Sequence, residues 1–308
     1  MTATATFSHY AQYYALRGVV AALDLLSFQR AGDIGEWLGA LGYRPFGVRR
    51  AVVERQVRAA FPGLADSEVL RIARASYESL GRTTVETALL PGYTREQVLG
   101  LFERVDGWDI VERARARGKG ILFVSGHLGN WELGGSFVAA SGLPLEAVVR
   151  GMENPLFDRY ITETRRRIGM SVIRDADAVR RVPRATREQH GVALLVDQGA
   201  VGLASSWVPF FGRYAKTPRG PAVFALRLQA PVVFACALRQ PSGRYVMHFE
   251  EVPVSPTGDR EADIERIVRD YTSTLERFIR RAPEQYFWHH RRWKHQRPGT
   301  PPELGDPS

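Results

Sequence analysis

Residues 120–125 read GILFVS, and residues 126–135 continue as GHLGNWELGG. A short apolar run bounded by glycine suits a strand buried on both faces. The chain repeats the pattern at LEAVV (145–149), SVI (171–173), VALLV (192–196) and PVVFACAL (231–238), with helical stretches between. Strands of Val, Ile and Phe alternating with helices predict an α/β fold with a mainly parallel mixed sheet flanked by helices. RYVMHFE (244–250) follows closely enough to be an antiparallel hairpin partner. Thr217-Pro218 reads as a cap and first-turn proline opening a helix over PRGPAVFALRLQ. Ile264, Ile267, Val268, Tyr271, Leu275, Phe278 and Ile279 recur at helical spacing, so 260–281 form an amphipathic helix that covers the sheet.

Upstream the period is helical throughout. DSEVLRIARASYESLGRTTVETALL continues the pattern, and Thr94 with Gln97 forms a capping box. Residues 1–117 are therefore expected to be an all-helical region, 118–283 an α/β core, and 284–308 an aromatic-basic tail ending in a disordered Pro/Gly segment. The stretch up to residue 41 mixes aromatics and aliphatics with few charges, and RPFGVRRAVVERQVR follows it. It reads as a packed helical arm or as an interfacial helix with Tyr13, Tyr14, Phe28 and Trp37 at headgroup depth. Residues 10–28 are interrupted by Arg17 and Asp24, which argues against a spanning helix. The polar, aromatic opening MTATATFSHYAQYY lacks the basic-apolar-small pattern of a signal peptide, so the product is expected to stay inside.

Over 308 residues the chain is 44% hydrophobic and 24% charged, enough to bury a sizeable core. Its one cysteine, Cys236, excludes an intramolecular disulfide and any multi-cysteine metal site. A formal charge of +9 suits nucleic acid, anionic lipid or an acidic protein, without choosing among them. The sequence has no G-x-S-x-G elbow, phosphate loop, G-x-G-x-x-G or H-E-x-x-H, so hydrolase, nucleotide and zincin readings lose ground.

In open α/β sheets ligands gather beyond the carboxyl ends of the strands, and His127 directly follows GILFVS. A continuous helix would separate His127 from Glu132 by about 140°, so His127 precedes the helix proper. Asn130 is a good N-cap, which puts Glu132 at the second helical position, where the dipole favours an ionised carboxylate. A carboxylate near one imidazole nitrogen fixes the tautomer and frees the other nitrogen to take a hydroxyl proton. The plainer alternative is a glycine-rich turn, with Glu132 a dipole partner and His127 a hydrogen-bonded core residue. Asp197 and Gln198 end VALLV and can touch substrate or cap the next loop, and Arg150 ends LEAVV in the same way. Arg165, Arg166 and Arg167 fall on a helix ending at Gly169, where a solvated face is the ordinary reading.

Taken together, HLGNWE, VVRGMENPLFDRYITETRRRIG, LLVDQG, VPFFGRYAKTPRGPA and PEQYFWHHRRWKHQRPG resemble, in order, the motif blocks of the bacterial lipid A biosynthesis acyltransferases. Those enzymes are the lauroyl and myristoyl transferases of the lysophospholipid acyltransferase superfamily, whose motif is His-x4-Asp/Glu. RGMENP departs from the usual form with proline after the arginine, and ASSW before VPFFG has no strong counterpart; both bear on substrate contacts. The mycobacterial phosphatidylinositol mannoside acyltransferases share the same logic and offer a second class of acceptor.

The resemblance implies a glycerolipid acyltransferase-like fold and transfer of a fatty acyl group from an acyl carrier protein or coenzyme A thioester to a glycolipid hydroxyl. It implies His127 as base and Glu132 as its orienter, with no metal, cofactor or covalent acyl-enzyme. Arg150, Asn154 and Arg165 would meet a phosphorylated acceptor such as a lipid A precursor, with Asp197 and Gln198 also at the substrate. The expected place is the cytoplasmic face of a bacterial inner membrane, on an anionic surface, peripherally or monotopically. Two rivals are a metal-dependent hydrolase using His127, Glu132 and Asp197, and a nucleic-acid module reading bases with Tyr286, Phe287, Trp288 and Trp293. No nucleic-acid partner is expected, since the tail can equally pack its aromatics and offer its arginines to lipid phosphates.

Overall fold

The computed structural model describes residues 5–199 and 204–307. The helices are α1 (Phe7–Leu23), α2 (Phe28–Tyr43), α3 (Arg50–Ala60), α4 (Asp66–Leu89), α5 (Arg95–Gly100), α6 (Trp108–Ala116), α7 (Trp131–Ala140), α8 (Pro155–Arg167), α9 (Ala178–Arg187), α10 (Gly220–Leu228) and α11 (Arg260–Arg281). The strands are β1 (Phe102–Asp106), β2 (Ile121–Ser125), β3 (Leu145–Val149), β4 (Met170–Arg174), β5 (Gly191–Leu195), β6 (Ser205–Phe210), β7 (Arg213–Pro218), β8 (Val232–Arg239) and β9 (Tyr245–Val252).

Seven strands form one sheet in the order β1-β9-β8-β2-β5-β3-β4, with every neighbouring pair parallel except β8 and β9. Strand pleating sends alternate residues to opposite faces. Leu122, Val124, Val192, Val232 and Phe234 therefore pack against the apolar stripe of α11, including Ile267, Val268 and Leu275. Ile121, Phe123, Leu145, Val233 and Ala235 pack on the other face against Leu133, Phe137 and Val138 of α7 and Val111 of α6. Both faces are covered, which is why these strands read as continuous apolar runs rather than alternating ones.

Three expectations are corrected. The region before residue 118 is not all helical, because β1 joins the sheet edge beside β9. Thr217-Pro218 does not open a helix: both residues end β7, which pairs antiparallel with β6 outside the main sheet, and α10 starts at Gly220. The Pro/Gly end is packed rather than disordered, with Arg213 Nη1 donating to Gly305 O at 3.0 Å and Arg291 paired with Asp306.

Helix α2 is built inside out. Its glycines face α4 so closely that a Cβ at Gly35 would lie 2.6 Å from Gly81 O, and one at Gly39 only 2.0 Å from Tyr77 O. The large side chains Ile34, Trp37 and Leu38 consequently point outward, with Trp37 61% exposed. Phe7 and Tyr14 of α1 and Leu25 of the connecting turn are exposed as well. Among the described residues no helix is long and apolar enough to cross a membrane.

Candidate active site

Strands β2 and β5 are parallel neighbours in which Ser125 lies opposite Leu195. Two residues beyond each come His127 and Asp197, so the register brings them together at the carboxyl edge of the sheet. His127 Nδ1 lies 2.8 Å from Asp197 Oδ1, and the His127 backbone N–H donates to Asp197 Oδ2 at 2.9 Å. Both carboxylate oxygens thus hold one residue, which fixes the imidazole by ring and backbone. Gln198 lies against the ring, its Nε2 3.3 Å from Nδ1 and 3.4 Å from Nε2.

Burial works to lower the His127 pKa, but the charge and hydrogen bond of Asp197, with the charge of Glu132 behind them, leave it above the ordinary value. Burial works equally to raise Asp197, yet the charge and hydrogen bonds of His127, with Arg292 further off, hold its carboxyl down to about 2. The site is a preorganised imidazole and carboxylate.

The carboxylate that meets the imidazole is therefore Asp197, whereas Glu132, expected beside it, pairs elsewhere. Asn130 caps α7 by accepting from Leu133 N–H at 2.9 Å, so the helix begins at Trp131 and turns Glu132 toward α8. There Arg165 grips it with two hydrogen bonds, Nε to Oε2 at 3.1 Å and Nη2 to Oε1 at 2.6 Å. Such a fork-to-carboxylate pair ties α8 to the first turn of α7 and occupies the Arg165 face expected to meet an acceptor phosphate. Asn154 also turns inward: its Oδ1 caps α8 at Leu156 N–H, and its Nδ2 donates to His9 O and Gln12 Oε1 of α1, each at 3.2 Å. Arg150 stays open, its side chain 72% exposed and, among the described residues, paired with Asp175 at 3.5 Å.

The tail supplies a part of the site that no sequence pattern announced. Phe287 N–H donates to His127 O at 3.0 Å, Gly129 N–H donates to Gln285 O at 2.9 Å, and Leu128 bridges Tyr286 in antiparallel fashion. The loop bearing His127 gains a strand-like partner from the far end of the chain. Of the four aromatics a nucleic-acid reading would use, Tyr286, Trp288 and Trp293 are buried, and Phe287 is half-buried beside the His127 ring. Gly129 takes φ +62°, and a Cβ there would lie 1.9 Å from Ala237 O, so only glycine permits this approach. Among the described residues the His, Cys, Asp and Glu side chains close enough to share an ion are Glu146, Glu188 and His190.

Beside the imidazole, an apolar cleft runs between the sheet and α7, lined by Phe123, Ser125, Trp131, Gly134, Val138 and Met247. Its open volume is about 50 Å³, room for a few waters at about 10–15 Å³ each. The Trp131 ring stands edge-on to His127 with centroids 4.9 Å apart, at the mouth.

The model of the family described as bacterial lipid A biosynthesis acyltransferase matches residues 2–295. The lipid A biosynthesis palmitoleoyltransferase of Escherichia coli (strain K12) is 28% identical over 265 residues, covering 85% of this chain and 84% of that protein. The lauroyltransferase of the same organism is 28% identical over 286 residues, 92% of each, and its myristoyltransferase is 25% identical over 270 residues, 86% of this chain and 80% of that one. A family match spanning nearly every residue, the loop of His127 and the segment that pairs with it included, makes this chain a member of the bacterial lipid A biosynthesis acyltransferase family.

Proposed function

We propose that the protein moves a fatty acyl group from an acyl carrier protein or coenzyme A thioester to a hydroxyl of a lipid A precursor, with His127 as general base. The observation that carries this reading is the His127–Asp197 pair beside an apolar cleft at the carboxyl edge of the sheet. Nε2 takes the acceptor hydroxyl proton while the oxygen attacks the thioester carbonyl, and the charge on Asp197 stabilises the imidazolium. The tetrahedral adduct collapses with C–S cleavage, and the imidazolium returns its proton to the departing thiolate. The thioester is the co-substrate, and this route needs no metal or cofactor.

The cleft beside Trp131 takes the acyl chain. Trp131 and the pliable Met247 line it and can shift to admit a long chain. Arg150, exposed near the same edge, is the cation free to meet an acceptor phosphate; Arg165 instead fixes Glu132. The bare faces of α1 and α2 rest at headgroup depth on the cytoplasmic side of the inner membrane, with the exposed Arg44 and Arg49 nearby drawn to anionic lipid.

The test is transfer from acyl thioesters to a lipid A precursor in anionic vesicles. Replacing a general base costs typically about 10² to 10⁴-fold, and His127→Ala is expected to lose that much with the fold intact. Near-normal turnover of that variant overturns the mechanism. Ready acylation of lysophosphatidic acid with the lipid A precursor untouched overturns the acceptor.

A further inference from the structure

Glu86, on α4, is fully buried and makes no contact with His127, yet it holds the loop that carries it. Its Oε2 accepts from Asn130 Nδ2 at 2.9 Å and from the Tyr245 hydroxyl, and its Oε1 accepts from Arg82 Nε at 3.0 Å. The other end of the Asn130 amide, Oδ1, accepts from Leu133 N–H in the first turn of α7. An ionised carboxylate can only accept, so it dictates which way the Asn130 amide faces and leaves the amide oxygen for the cap. Burial raises the Glu86 pKa, while the hydrogen bonds of Tyr245 and Asn130 and the charges of Arg239 and Arg82 oppose that rise.

From Arg82 the chain of contacts continues outward to α2. Nη1 donates to Asp33 Oδ1 at 2.8 Å and lies 2.9 Å from Glu36 Oε1, and Nη2 donates to Gln29 O at 3.2 Å. Arg239, at the end of β8, meets the same Glu36 at 2.7 Å. Asp33 and Glu36 flank the outward-facing Ile34 and Trp37 on α2, and the glycine packing of α2 on α4 leaves little slack between the helices.

We infer that Glu86 is a positioning residue for the acyl transfer: through Asn130 it sets the loop of His127, and through Arg82 it ties that loop to α2. The inference rests on the function proposed above, which places α2 on the membrane and His127 at the acceptor hydroxyl. A buried carboxylate is retained at a cost unless all its partners are in place. Here each partner leads to a different element, Tyr245 to β9, Asn130 to α7 and Arg82 to α2, so the carboxylate works as a joint.

Three variants test it. Asn130→Ser keeps a good cap for α7 but is too short to reach Glu86. Glu86→Gln keeps the volume and removes the charge. The double variant Glu86→Gln/Asn130→Asp restores the pair in reverse, with the new amide at position 86 donating to a carboxylate at 130 that still caps the helix. The readouts are kcat and KM for transfer to a lipid A precursor in anionic vesicles, and amide exchange over residues 127–133. Small displacements of reacting groups cost as much as about 10²-fold, so each single variant is expected to lower kcat by about 10- to 100-fold with KM for the thioester nearly unchanged. Exchange over 127–133 quickens in the singles, and the double variant recovers both readouts. Wild-type kcat and exchange in Asn130→Ser overturn the inference, as does a double variant no better than Glu86→Gln, which would reduce Glu86 to a partner for Arg82. If Glu86→Gln does not fold, Asn130→Ser and the double variant still decide. Failure of the wild type to transfer acyl groups would sink the proposed function alone, since the exchange arm still reports on the joint.

Discussion

Asp197 gives both oxygens to His127, so Asp197→Asn removes a charge without removing much volume. The sign of the effect on rate follows from the two influences on the imidazole. Burial lowers its pKa and Asp197 raises it above the ordinary 6.5, so the wild-type rate should climb with pH through a midpoint above that value. In Asp197→Asn burial is opposed by the charge of Glu132 alone, the midpoint moves to lower pH, and the plateau drops by about 10²-fold because the imidazolium loses its partner. A kcat/KM profile checks both, and an unmoved midpoint would mean that another group titrates. Stability follows the same pair. His127, raised, contributes fully below 6.5 and loses its contribution as pH climbs through its folded value; Asp197, held near 2, contributes above its ordinary 3.8 and loses it as pH falls toward 2. The gap in melting temperature between wild type and Asp197→Asn should be widest between those two ordinary values. The sequence points to Glu132 for this role, as an ionised carboxylate at the second helical position and the last residue of the His-x4-Glu motif. It lost to Asp197 because closeness in a parallel sheet is set by register between neighbouring strands.

At the scale of elements, α7 both carries the cap that ends the His127 loop and forms one wall of the apolar cleft. Gly134 is where that wall is thinnest: a Cβ there meets Ala237 Cβ at 3.4 Å and Met247 Cε at 3.8 Å, contacts that close packing tolerates. Gly134→Ala should therefore fold and narrow the cleft, and its turnover with long-chain thioesters should fall about 10-fold more than with short-chain ones. Equal losses for all chain lengths would place the acyl chain elsewhere. The strands around this cleft were legible because both faces are buried, which makes each a continuous apolar run. Strand β1 was not legible: in FERVD only Phe102 is buried, and an edge strand with charged residues carries no such signature. Strand β7 hid for a different reason. Thr217-Pro218 looks like a helix start, but Thr217 is opposite Ser206 in the ladder and its Oγ1 accepts from buried Arg292.

For the whole molecule, the bare faces of α1 and α2 combine with the +9 charge into one expectation. Ile34→Ser/Trp37→Ser should fold, since both side chains face outward, and should bind anionic vesicles about tenfold or more weakly, as burying either large apolar side chain contributes roughly 1.5–3 kcal/mol. Raised salt should loosen the wild type only in part, because screening weakens the attraction of arginines to headgroups and leaves apolar burial intact. Sedimentation with vesicles measures both, and unchanged binding of the double variant would remove α2 from the membrane contact.

The sequence by itself determined what depends on local pattern: the buried strands, the covering helix 260–281, the Asn130 cap, and His127 at the end of a strand. These follow from periodicity and backbone hydrogen-bonding rules that act within a few residues. Tertiary structure alone decided which groups meet. Asp197 reaches His127 across 70 residues, Arg165 takes Glu132 across 33, and Glu86 reaches Asn130 across 44. Tyr286 and its neighbours, which looked like an aromatic-basic tail, became a strand-like partner of the loop that carries His127. The physical reason is that a carboxylate's or an aromatic's partner is chosen by strand order and helix packing, and a linear chain of residues does not carry either one in its spacing.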